Sequence, residues 1–565
     1  MHSTLLLVRH FFGRLFDNEI VSQDGDMRTN MVQALGLLAA PGMFVAFYML
    51  PQRVRFDQPF LRNWMLVGDY YFFVAYSMVV MGFVMVFEWD AIFPDRKDYL
   101  VLTPLPLRGT AIFAGKTAAL LLFLGLFIVD TNLFGTMLAP LITGPPGTPM
   151  ALAVRLLLVH VAAVASAGLC VVLACAALQG VLINVLTGAA FRRISPWVQI
   201  AVMSVLITVL FLTPLAIAAI RPLVEQQSPV LRWFPPYWFL AWYLDMLPGQ
   251  PGGPVFHALA PLARQALAVS SIAFAVTYLL GYRRHTRRVL DSVHTAAGGP
   301  GAVRMLFDRM VNRWIVRHPL ERATFHFITN TVLRSAKQRL FLAAFAGLTL
   351  ALALPPVVRV GTRPGTSLLM FFPAELFTVP LIFSFFTVTG LRAVFNFPAE
   401  LRANWIFPVC DAGRCYLHLR AARKWIVAMG LVPMASILLP VEVLFAGWTG
   451  GPIHLSFALL LGVILMNLLM VWFRKIPFTC SYFPGKTAMA VMFFLYLAGF
   501  SIYAWTMADV ERRIAGDPLR LALFYLMGLL ALRGLAVMER REFGIDSALI
   551  FEDQPDPVVR SLELG

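Results

Sequence analysis

Charge is what this sequence has least of. Only 13% of its 565 residues are Asp, Glu, Lys or Arg, where a soluble domain carries about 25%. So few charges cannot cover a water-facing surface, which excludes an ordinary soluble globular protein. Acidic residues are the scarcer kind, 30 against 46 Lys and Arg. A net charge of +16 would suit a nucleic-acid binder, but the placement of the charges argues against nucleic acid as a partner. The basic residues lie in segments between apolar runs, where a positive excess sets membrane orientation. Cysteine is rare and odd in number: Cys170, Cys175, Cys410, Cys415 and Cys480. Some of these fall inside apolar runs, so no disulfide framework is expected. Cys410, Cys415 and His418 are close in sequence, but their spacing matches no tight zinc pattern, and no metal site is expected.

Catalytic signatures are missing too. No HExxH, GxSxG or paired Cys-x-x-Cys motif occurs, so the chain is not expected to be an enzyme. Gly109–Thr117 looks like a phosphate loop, yet it has five residues between its glycines where the motif needs four. Gly485-Lys486-Thr487 has no upstream glycine at the right spacing. A lysine snorkelling from the foot of a span accounts for Lys116 and Lys486 alike. The N-terminal MHSTLLLVRHFFGRLF has neither a long apolar core nor a small-residue cleavage site, and no signal peptide is expected.

Apolar sequence, in contrast, is abundant: 59% of residues are hydrophobic, and the mean hydropathy is +0.75. About twelve stretches approach or exceed the roughly 20 residues a transmembrane helix needs. In the first half they are 31–50, 66–87, 110–140, 152–185, 198–220 and 262–282. In the second they are 339–356, 372–392, 424–446, 453–473, 487–508 and 520–538. The expected fold is therefore all-α: a polytopic membrane protein of about twelve transmembrane helices in two halves of about six. With a cytoplasmic N-terminus, about 34 of the 46 Lys and Arg fall inside and about 12 outside. Both termini then face the cytoplasm. Arginine dominates the basic residues, as in GC-rich bacterial genomes, so the expected location is a bacterial inner (plasma) membrane, with lipid as a partner.

The halves repeat one pattern. Residues 1–29 form a cytoplasmic N-terminal segment in which 3–20 read as an amphipathic helix suited to the membrane interface. Residues 30–282 are the first transmembrane half, and 283–338 are a basic cytoplasmic linker. Its Gly-rich stretch at 296–301 is followed by a second amphipathic segment, broken near Pro319. Residues 339–538 are the second transmembrane half, and 539–565 a cytoplasmic tail. Each half carries a charged, proline-marked insert after its second span, at 87–109 and 395–414. Lys97–Pro104 and Arg402–Pro408 are matching cores, and each leads to a basic residue at the foot of the next span, Lys116 or Lys424. Two halves of the same topology and orientation make a parallel repeat.

Ionisable residues inside a membrane are costly and default to functional candidates. Asp69, Asp130, Arg155, His160, Glu375 and Glu442 fall within or near the spans. Asp130 either serves a function or stands near the outer end of a long third span, wetted or paired to Thr131 or Asn132. Glu442 follows Pro440 in the equivalent span and carries the same ambiguity. The aromatic run Arg232–Asp245 suits a helix dipping in from the outer surface, or an interfacial anchor.

Together these features resemble the permeases of ABC-2 type transporters, the exporters of the type V fold. That family places an amphipathic connecting helix before six spans. It has a cytoplasmic coupling helix between the second and third spans, and helices dipping in between the fifth and sixth. Residues 3–20, 89–108 and 232–248 match those parts. Leu100-Val-Leu-Thr-Pro104, followed by Lys116, looks like the family's coupling segment. The second half departs from the pattern, because its outer loop 509–519 is short and lacks the aromatic run. The resemblance implies two permease halves fused in one chain and a separate soluble ATPase subunit on the cytoplasmic face. It implies no cofactor in this chain, ATP acting only through that partner. Asp95, Arg96, Lys97, Asp98 and Tyr99, with Glu400, Arg402 and Trp405, would seat in the ATPase, whose closure would rock one half against the other. A second expectation is a proton-coupled secondary transporter of the major facilitator type. Pro94-Asp95-Arg96-Lys97 is similar to that class's loop, though the flanking glycines are missing. A third is a non-transporting scaffold or sensor. The few fixed charges in the spans favour a lipid-like, hydrophobic or peptide cargo.

Overall fold

The computed structural model describes residues 2–16, 59–89, 109–143, 149–247, 253–291, 302–361, 377–399, 415–473, 475–480 and 498–543, with single positions 92, 102, 404, 406, 407 and 496 between them. Among these residues the structure is helical, without strands. Eight of the helices are long and apolar enough to cross a membrane, which is the architecture of a polytopic membrane protein. The expected span 31–50 and the start of 487–508 lie outside the described residues. The chain divides into two compact units, Met1–Gly298 and Gly299–Gly565.

In the first unit α1 (His2–Phe16) precedes α2 (Pro59–Phe87), α3 (Gly109–Thr143), α4 (Met150–Val185) and α5 (Gly188–Glu225). Short α6 (Val230–Trp233), then α7 (Pro235–Met246) and α8 (Gly253–Asp291), complete it. The core runs along α2, α4, α7 and α8. Helices α3, α4 and α5 have 35, 36 and 38 residues. At 1.5 Å per residue each exceeds 50 Å, so it extends well past a hydrocarbon core of about 30 Å.

One expectation for this unit needs correcting, the outward reach of Lys116. The amphipathic segment expected at 3–20 appears as α1, with one face packed on a neighbouring helix. Leu7, Phe11 and Leu15, spaced by four, form one buried face. Leu7 and Phe11 pack with Ile112 and Ala119 of α3, because the apolar stripe of α1 finds a helix to cover it. Lys116 accordingly does not snorkel outward. It is 5% exposed, with its ammonium 4.9 Å from the Phe11 ring, where the aromatic face offsets part of its desolvation. The aromatic run forms a short helix that packs into the unit. Helix α7 buries Tyr237, Phe239 and Tyr243 inside the unit. The Tyr237 hydroxyl donates to the Ala216 carbonyl of α5 at 3.0 Å, and Tyr70 and Tyr71 of α2 pack against Tyr243 and Tyr237.

In the second unit α9 (Ala302–Trp314) and α10 (Pro319–Arg334) replace the single amphipathic segment, broken before Pro319 as expected. Then come α11 (Ala336–Gly361), α12 (Thr378–Val394), α13 (Cys415–Ile426) and α14 (Val432–Met470), with a π-helical turn at Val427–Leu431 between the last two. A second π-helical turn, Ile502–Thr506, leads into α15 (Met507–Ile514), and α16 (Pro518–Phe543) ends the described chain. Leu519, Leu523, Met527 and Leu530 of α16 are exposed, as are Val269, Ile272, Val276 and Leu280 of α8. Apolar rows of this length are unfavourable against water and neutral against lipid tails.

The expected spans 424–446 and 453–473 appear as one helical run, and Gly447 resolves the difference. Its φ of 76° and ψ of 176° break the helix, a left-handed φ that an L side chain disfavours. A Cβ on Gly451 would stand 2.8 Å from the backbone of Glu442 and Val443, and one on Gly462 would stand 3.0 Å from Leu431. The pairs 442/451 and 431/462 share one midpoint, so the arms run antiparallel as a helical hairpin. Gly451→Ala should wedge the arms apart. The obstacle is backbone and cannot rotate away, so the expected destabilisation is roughly 1–3 kcal/mol. Thermal unfolding of the detergent-purified chain reads this as a lowered midpoint.

Candidate functional site

Both inserts are anchored through their described residues. In the first unit α2 stops at Phe87, which leaves its last carbonyls without helical partners. Side-chain amides supply those partners. Gln199 of α5 donates to the Val86 carbonyl at 2.9 Å, and Gln179 of α4 donates to the Trp89 carbonyl. The Trp89 indole is fully buried and donates to Ser195 Oγ at 2.9 Å. Further along, the Ile92 carbonyl accepts from the Tyr278 hydroxyl of α8 at 3.4 Å. Leu102, near the far end, packs into the cluster formed by Leu7 and Phe11 of α1. The insert is thus tied to α4, α5 and α8 where it begins and to α1 where it ends.

The second unit does the same with different atoms. Past the end of α12, the Phe478 backbone N–H donates to the Phe395 carbonyl at 3.0 Å, and the Ala399 N–H donates to the Phe478 carbonyl at 3.1 Å. The buried Asn404 amide donates to the Thr479 carbonyl at 2.8 Å. Phe327 of α10 contacts both Phe407 of the insert and Phe478, with centroids 5.6 and 6.2 Å away. So the first insert is held by α4, α5 and α8, the second by Phe478 and Thr479, and an amphipathic helix, α1 or α10, packs against each.

Each entry helix also covers the expected foot lysine. In the first unit α1 places Phe11 over Lys116. In the second, Glu321 of α10 is 2% exposed and pairs with Lys424 of α13 at 2.5 Å and Arg420 at 3.3 Å. There the covering contact is an ion pair. The proposed contact residues Asp95, Arg96, Lys97, Asp98 and Tyr99, and Glu400, Arg402 and Trp405, lie outside the described residues. They fall between the gripped ends.

Of the intramembrane candidates, Asp69 is half-buried on α2. Asp130 is half-buried on α3, and its Oδ2 has no hydrogen-bond partner among the described residues. Pairing to Asn132 is not what the structure holds: the Asn132 amide donates to Ser77 Oγ and to the Ile128 carbonyl. Glu442, 5% exposed, joins a cluster the sequence reading did not assemble. Its Oε2 stands 3.8 Å from His454 Nε2, while His454 Nδ1 is 2.7 Å from Glu511 Oε1. His454 and Glu511 are also buried. Glu511 lies in a segment expected to be an outer loop, and His454 follows a Gly-Gly-Pro turn, so neither drew notice.

The first unit holds a neutral counterpart. His160 of α4, buried, is 2.7 Å from the Tyr243 hydroxyl of α7 through Nδ1. Phe73 meets its ring edge-on with centroids 5.3 Å apart, as Phe377 meets His454 at 4.9 Å. In each unit, then, a buried histidine bonds to a side chain of another helix and meets a phenylalanine edge-on. A comparison of His160 with His454 was the signal in the sequence. Among the described residues no cluster of His, Cys, Asp and Glu could hold a metal ion. At His454 the reason is visible, since the carboxylates sit on opposite ring nitrogens.

No family model matches the chain, and no curated protein or solved structure matches it. The class that the fold defines is an all-helical, multi-pass membrane protein.

Proposed function

We propose that this chain is the membrane-spanning permease of an ATP-binding cassette exporter in a bacterial inner membrane, with two parallel six-span halves fused and both termini cytoplasmic. The observation that carries this reading is the common build of the inserts. In each unit the insert hangs between fixed ends, one of them on an entry helix that also clamps the foot of the next span. A push on such a segment passes to several spans together instead of being absorbed by a slack loop. That is the mechanical requirement for a chain that does no ATP chemistry itself and is moved by a soluble ATPase subunit. Asp95, Arg96, Lys97, Asp98 and Tyr99, with Glu400, Arg402 and Trp405, are the proposed contacts.

Affinity purification from the native membrane tests the reading. The expected result is an ATPase subunit retained with the chain, and transport in proteoliposomes that requires ATP. The buried Glu442–His454–Glu511 cluster favours a second reading, a proton-coupled secondary transporter. Transport that follows a proton gradient without ATP would establish that reading in place of the first.

A further inference from the structure

The Glu442–His454–Glu511 cluster sits where three pieces of the second unit meet. Glu442 and His454 come from the two arms of the hairpin in α14, on either side of Gly447. Glu511 comes from α15. The imidazole stands between the carboxylates, bonded to Glu511 at 2.7 Å and facing Glu442 at 3.8 Å. The second oxygens of both glutamates, Oε2 in each case, have no hydrogen-bond partner among the described residues. Among the described residues no lysine or arginine pairs with Glu442 or Glu511. On α15, Arg512 and Arg513 turn instead to Asp509 on the exposed side. From α16 the nearby titratable group is Tyr525, whose hydroxyl bonds to Ser456 Oγ. Phe377, ahead of α12, adds only an aromatic edge. Tyr503, in the turn before α15, is committed to Ser384 at 2.8 Å.

Charge accounting then constrains the site. Two ionised carboxylates around even a protonated imidazole leave one net negative charge, buried and without a counter-ion among the described residues. Such a charge is strongly disfavoured, and the group takes up a proton instead. Neutrality requires two protons on the cluster: one making the imidazole cationic, the other on a carboxyl. Outside the spans, burial pushes the Glu511 carboxyl up, while its bond to His454 pulls it back. The first unit provides an internal control. His160 with Tyr243 and Phe73 makes the same contacts without a carboxylate, so holding these helices together does not call for acidic groups. The second unit has charged chemistry where a neutral version serves the structure.

We propose that Glu442, His454 and Glu511 form a proton-binding site at the tip of the α14 hairpin, shared by its two arms and α15. When the second proton leaves, the carboxylates repel across the imidazole and the hairpin tip loosens from α15. When it returns, the tip closes. The site stands whichever energy source drives the chain, so its test does not depend on transport.

The test is pH-difference infrared spectroscopy of the full chain in lipid nanodiscs. A protonated-carboxyl stretch that appears on acidification is expected in the wild type and lost in Glu442→Gln or Glu511→Gln. Exchange of Glu225, an exposed partner of Arg221, for Gln leaves it in place. Should either glutamine variant fail to fold, the other, with the wild-type spectrum itself, still decides. A wild-type spectrum without such a band overturns the proposal, as does a band that both variants retain. A spectrum that responds to sodium or potassium at fixed pH, and not to protons, overturns the proton assignment.

Discussion

Reversing the charges of Arg96 and Lys97 to glutamate is expected to abolish co-purification of the chain with an ATPase subunit. The two residues fall between anchors the structure holds in place, Trp89 on one side and Leu102 on the other. The reversal therefore leaves the anchoring contacts of Trp89 and Leu102 in place. Truncating one partner of a buried, hydrogen-bonded charge pair in an interface costs about 2–5 kcal/mol, much of it from stranding the partner charge. Two reversals, each replacing attraction with repulsion, should weaken binding by about a hundredfold or more. Reversal at Arg221, an exposed residue paired with Glu225 near the end of α5, should leave the partner bound. An unchanged pull-down for the double reversal would remove the first insert from the coupling machinery.

The second large effect is expected at Lys424. Its partner Glu321 is almost wholly buried, and only the more exposed Arg420 remains to it if the lysine is lost. Removing one partner of a buried pair costs about 3–5 kcal/mol, because the other charge is left without compensation. Lys424 is itself a quarter exposed, so Lys424→Met should fall at the low end, about 3 kcal/mol. The expected readout is a marked drop in the thermal midpoint, with α10 cut first in limited proteolysis. Glu321→Gln in the Lys424→Met background should recover most of the loss, since no charge is then stranded. A double variant as unstable as the single would mean that packing, and not the ion pair, holds α10 to α13.

These two sites differ in how legible they were. The apolar runs and the proline break before α10 were visible because length, hydropathy and backbone geometry act locally. The matching lysines at 116 and 424 were visible too, since their positions repeat, but the helices that cover them were not. That Phe11 would shield one and Glu321 pair with the other depends on contacts far apart in sequence. The grips on the inserts escaped for another reason. Gln179, Gln199 and Asn404 are neutral, so a search for ionisable groups in the spans passes over them, although buried carbonyls need just such donors. His454 and Glu511 lie 57 residues apart and meet only through the fold. Glu442 stood out alone in the sequence because a single intramembrane carboxylate is conspicuous by cost. Its partners acquire meaning only with the hairpin closed at Gly447.

The most direct measurement on the central claim is cross-linking from both inserts in the native membrane. A photo-reactive amino acid would replace Asp98 in one version of the chain and Arg402 in another. The account predicts that each position cross-links to the same soluble nucleotide-binding protein, from the cytoplasmic side, with yields that change on adding ATP. Cross-links from neither position, or a reagent reaching one insert only from outside the cell, would contradict both the parallel halves and the ATPase that is proposed to drive them.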